Sequence, residues 1–168
     1  MKINISGLMI LIKDLENKLS VLTNTIMVHA QNKKIIELSG KENIMEDYHQ
    51  DFVNELQEYE NITQRITYLK SVLYSKNNEF KLTDGRSIQT AIVDNANLRK
   101  LKELYDGLLL MKNSKTRVTE VNNSYFEAIE VNFNEQELKD KTKSLEERIY
   151  ETDFEISKLN SIEFEIQK

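Results

Sequence analysis

The sequence contains no cysteine and no proline, and only four glycines and two histidines among 168 residues. Without cysteine there is no disulfide, no thiolate chemistry and no zinc site of the cysteine type. His29 and His49 are too few for a histidine metal cluster, and no carboxylate spacing marks a magnesium or calcium loop. No cofactor is expected. Proline interrupts helix interiors by removing a donor and clashing with the preceding turn. Its absence leaves long helices unbroken, although the many Asn, Lys and Ile residues also match an AT-rich genome, which depletes proline and glycine by itself. Long apolar runs are missing too. The apolar run at residues 8–12 is too short for a signal peptide, and Lys13 and Asp14 follow it where a small-residue cleavage site would stand. Nothing approaches the ~18 apolar residues of a membrane span, so the expectation is a cytoplasmic protein with no membrane partner. A formal charge of -5 argues against nucleic-acid binding, where basic excess does most of the work. Gly85 has no companion glycines, so neither a P-loop nor a dinucleotide fingerprint exists.

What the chain does have is charge and helical periodicity. Charged residues make up 30% and hydrophobic residues 39%, a balance that suits elongated helices with a narrow buried stripe. A first helix is expected over residues 6–29. Its Leu8, Ile12, Leu15, Leu19, Leu22, Ile26 and His29 recur at alternating steps of four and three, a heptad seam, and Leu11 and Met27 widen it. Residues 31–45, with Gly40 among them, read as a connection, in part helical. A second helix is expected over residues 46–74, with Tyr48, Phe52, Leu56, Tyr59, Ile62, Ile66, Leu69 and Leu73 on one face. The run from Ser75 to Asn78 closes it, since asparagine can take the left-handed cap conformation. Ser87 is the expected N-cap of a third helix reaching about residue 112. Asn95 falls on its buried seam, and is read as a residue fixing register or oligomer state ahead of a ligand contact.

Between the third and fourth helices the period changes. Residues 117–121 and 128–133 alternate β-branched or aromatic side chains with polar ones, as in a short hairpin or two extended strands. Asn134 and Glu137 form a variant capping box opening the fourth helix, whose seam is Leu138, Thr142, Leu145, Ile149, Thr152, Ile156 and Leu159. The tail at 161–166 alternates like an edge strand, with the 117–133 strands as its candidate partner. The expected fold is mainly α: four long amphipathic helices in a helical bundle or coiled coil. It forms one domain over 1–168 with a β insertion at about 115–133, and shared heptads are the only self-similarity.

Two groups of residues invite a functional reading. The Asp84, Gly85, Arg86, Ser87 segment is either a tight turn with a capping serine or, at a helix N-terminus beside an arginine, an anion site for phosphate or a nucleotide. Arg86, Arg99, Arg117 and Glu120 would converge if the β segment folded over the third helix. They would then bind an acidic small molecule or close the fold with ion pairs. No catalytic constellation is present, because two histidines among many carboxylates permit too many triads.

The turn at 84–87, the Leu98-Arg99 pair, the Arg-x-x-Glu formed by Arg117 and Glu120, and the late helix with Asp153, Ile156 and Asn160 follow in the same order as in another group of proteins. Over most of its length the chain thus resembles the septicolysin-like family of small bacterial helical proteins. Ser161 stands where that family has tryptophan, and Asp94 and Asn95 where its members often have arginine. The resemblance adds Asn160 to the candidate ligand-binding residues. Its name implies a membrane-active cytolysin, whose oxygen lability needs a thiol that this chain does not have. The function expected from the residues is a non-enzymatic interaction or assembly protein, homo-oligomeric through its helices. A binding module for a small anionic ligand is the alternative, and the cytolysin comes third.

Overall fold

A computed structural model describes residues 1–121 and 123–167. The chain is mainly helical. Its elements are β1 (Lys2–Asn4), α1 (Ile5–His29), β2 (Lys33–Ile36), β3 (Glu42–Glu46), α2 (His49–Glu79), α3 (Ile88–Leu109), β4 (Ser114–Glu120), β5 (Asn123–Ile129), α4 (Glu135–Asn160) and β6 (Glu163–Glu165). The strands pair antiparallel as β1 with β6, β2 with β3, and β4 with β5. Contacts group the chain into two compact units, Met1–Glu79 with Asn160–Lys168, and Phe80–Leu159. The sequence was read as one domain. A common order nevertheless runs through the chain: helix, β-hairpin, helix, first as α1–β2–β3–α2 and then as α3–β4–β5–α4.

In the first unit α1 begins at Asn4, whose extended backbone and side-chain oxygen cap the helix by accepting the Gly7 N–H at 2.8 Å. The two helices run antiparallel: early Glu16 pairs with late Lys70 at 2.6 Å, and late His29 with early Glu55 at 2.9 Å. Between them Leu8, Ile12, Leu22, Ile62, Ile66 and Leu69 form a buried cluster. Leu11, expected to widen the buried face, packs against that cluster, whereas Met27, expected to do the same, is exposed. The tail strand does not join the 117–133 strands. β6 pairs with β1, placing Phe164 opposite Ile3, and both side chains pack on the α1–α2 cluster with Ile166. The apolar face of each short strand is thereby half-buried, which favours the pairing.

Several boundaries differ from the sequence reading, among them the second strand of the later hairpin, which runs over Asn123–Ile129 rather than 128–133. The segment read as a connection over 31–45 forms the β2–β3 hairpin, which ends at Glu46 and whose turn places Gly40 at φ 84, a left-handed conformation that glycine takes without steric cost. Helix α2 starts later, at His49, where the Asp47 side chain accepts the His49 N–H at 3.1 Å. It also runs past Ser75 to Glu79. Asn78 takes no left-handed cap, and its side chain donates back to the Tyr74 carbonyl at 3.0 Å.

In the second unit a tight loop precedes α3. The Gly85 N–H donates to the Leu82 carbonyl at 2.9 Å with Gly85 at φ 85, and the Leu82 N–H donates to the Arg86 carbonyl at 2.8 Å. Ser87 caps α3 by accepting the Thr90 N–H at 3.1 Å. Asn134 caps α4 by accepting the Glu137 N–H at 3.0 Å, but the reciprocal arm of the box is missing because Glu137 pairs with Lys141 at 2.6 Å. Helices α3 and α4 are antiparallel, joined by Arg99–Asp153 at 2.6 Å and Lys102–Glu146 at 3.0 Å. Their buried residues include Ile88, Ala91, Leu138 and Ile149, but also the polar Asn95, Thr142 and Thr152. This seam is the more polar of the two.

Candidate functional site

Arg86 is the centre of the turn at the start of α3. Its Nε donates to Asp84 at 2.7 Å, one terminal nitrogen to Asp94 at 2.9 Å, and the other to the Thr152 hydroxyl at 3.5 Å. The Arg86 side chain, and then its backbone N–H, hold the Asp84 carboxyl below its ordinary pKa. Asp84 and Asp94 in turn raise that of Arg86. One turn of α4 away, Glu155 accepts the Thr83 hydroxyl at 2.6 Å and the Thr83 N–H at 2.9 Å, and these bonds lower its pKa. The groups surround a cleft of about 300 Å³ that also includes Arg148 and Glu151. Among the described residues no carboxylate ion-pairs with Arg148. The cleft nevertheless holds Asp84, Glu151 and Glu155 against Arg86 and Arg148, so its charge does not select an anion.

The structure does not bring the sequence-predicted residues together. Asp84, Arg86 and Ser87 lie in the turn before α3. Arg99 pairs across to Asp153, which also accepts from the Asn95 side chain at 2.9 Å. Asn95 is 1% exposed, and its amide also donates to the Ile149 carbonyl at 3.2 Å, while its own oxygen has no partner. Arg117 and Glu120 stand on β4, which follows the far end of α3, in a hairpin where every described residue but Val118 is exposed. Asn160 belongs to the other unit, and its side-chain oxygen is buried without a partner. Among the described residues no group of His, Asp or Glu side chains is arranged to hold a metal ion.

What the sequence reading missed is the β2–β3 hairpin. The signal was there: Ser39-Gly40 is a turn dipeptide flanked by Ile35 and Ile36 on one side and Ile44 on the other. Both hairpins are exposed and partly apolar. Leu38 at one tip and Val121 near the other are fully open to solvent, and Ile36, Ile44, Phe126 and Ile129 are more than half exposed.

No protein-family model matches the chain, and no curated protein does. Its structure is similar to that of a functionally unknown conserved protein from Corynebacterium diphtheriae. The TM-score is 0.60 at 16% identity, covering 98% of this chain and 100% of the other. At that identity the likeness establishes the fold alone. Among the described residues no helix is long and apolar enough to cross a membrane.

Proposed function

We propose that this protein is a non-enzymatic assembly module that self-associates, with its helices paired as coiled-coil seams. The observation that carries the reading is surface area. The chain exposes 12483 Å². By the scaling of area with mass, a compact monomer of 19.7 kDa exposes roughly 8,600 Å², and two separate compact bodies of half that mass roughly 10,400 Å² together. Even against the larger reference the excess is roughly 2,000 Å², where a standard interface takes roughly 800 Å² from each partner. Two-helix units leave their outer faces open, and here the open surface includes apolar side chains at Ile10, Val21 and Val28 of α1 as well as on both hairpins. Light scattering across a concentration series tests the reading. A mass that is a multiple of the chain's own supports it, and a monomer throughout overturns it.

A further inference from the structure

We infer that the two β-hairpins are complementary strand-addition sites, the β2–β3 hairpin of one copy joining edge to edge with the β4–β5 hairpin of another. The inference rests on the self-assembly reading and names the surface through which assembly proceeds.

The first support is the state of the hairpins. A two-stranded hairpin is marginal in water unless it gains further strands or packs on a helix. Yet β4 and β5 share a ladder of seven residue pairs, and no residue of β2, β3 or β5 is even half-buried. Among the described residues the three ladders have no strand in common, so each hairpin keeps two free edges within its own unit. Free edges carry unpaired N–H and carbonyl groups, which template pairing with another strand.

The second support is charge, which permits this pairing and disfavours any strand beside its own copy. β2 carries Lys33 and Lys34, and β3 carries Glu42 and Glu46. β4 carries Lys115 and Arg117, with Glu120 at its end, and β5 carries Glu127. Each hairpin therefore has one basic and one acidic strand. Setting β3 beside β4 of another copy, or β5 beside β2, puts acid next to base. Setting any strand beside its own copy puts like charges together, which is destabilising across a strand pair. Lys34 is already paired with Glu42 at 3.0 Å and Lys33 stands opposite Glu46 in the ladder, but among the described residues Lys33, Glu46, Arg117 and Glu127 form no ion pair. The pairing joins two different patches. It therefore closes into a ring or extends as a filament, according to the rotation between copies.

The experiment is sedimentation equilibrium of the full chain and three variants, with far-UV circular dichroism to confirm the fold of each. Glu46→Lys and Arg117→Glu, taken singly, should each weaken association by roughly tenfold, and the two combined in one chain should recover most of it, because the reversed charges meet each other across the interface. If the native chain is oligomeric and the single variants retain its mass, or the combined variant does not recover, the hairpin pairing is overturned while self-assembly stands. A native chain that is monomeric throughout overturns both, and leaves the free edges to an extended segment of a foreign protein.

Discussion

Asn95 is a buried amide with an unbalanced set of partners. Its nitrogen makes two bonds across to α4 and its oxygen none. An unsatisfied buried acceptor costs about 1–3 kcal/mol, and Asp153 keeps its bond to Arg99 when the amide is removed. Asn95→Leu should therefore stabilise the chain by about 1 kcal/mol in chemical denaturation. A loss of that size would mean that the amide contributes more than it costs. Glu155 and Asp84 make a different prediction. Their carboxyls have ordinary pKa values of 4.5 and 3.8, and both are lowered in the folded chain. A group with a lowered folded pKa stabilises fully above its unfolded pKa, and that stabilisation is lost as pH falls through the folded value. Glu155→Gln should lower the melting temperature at neutral pH, and its difference from the native chain should shrink below about pH 4. A constant difference through the acid range would contradict the linkage. At the same cleft, inorganic phosphate should leave the melting temperature where an equal ionic strength of chloride leaves it. A rise abolished by Arg148→Ala would support the anion-binding reading.

Two positions of one helix should respond unequally to truncation. Leu69 is fully buried between α1 and α2, so Leu69→Ala should cost about 2–5 kcal/mol, whereas Leu56, on the same helix but 39% exposed, should cost under about 1 kcal/mol. Urea denaturation of both variants checks the contrast, and equal losses would contradict the packing described. Both leucines belong to one heptad seam in the sequence, which shows what periodicity reveals and what it leaves out. Heptads located α1, α3 and α4 to within a few residues, and cap chemistry placed Ser87 and Asn134. Neither could say how deeply a seam position is buried, because depth depends on the facing helix. Alternation likewise marked the tail as a strand, but its partner was set by the burial of Ile3 and Phe164 on one cluster, a long-range fact. The end of α2 was misread because asparagine has two local options, a left-handed cap or a bond back to the preceding turn, and sequence alone does not choose. The candidate arginines were legible as residues but not as a site. Whether three arginines and Glu120 converge depends on the path of the β4–β5 hairpin, and that hairpin leaves Arg117 exposed.

At the scale of the whole molecule, the repeated order of helix, hairpin and helix leaves surface that neither unit covers by itself. Dye-loaded liposomes should stay intact at micromolar protein, since no described helix can span a bilayer and the chain has no thiol. Release abolished by heating the protein would instead favour the membrane-active reading implied by the septicolysin-like resemblance. The more direct test is of assembly itself. Sedimentation equilibrium of the native chain over a wide concentration range should report a mass above 19.7 kDa that rises with concentration. A mass of 19.7 kDa at every concentration would contradict the account.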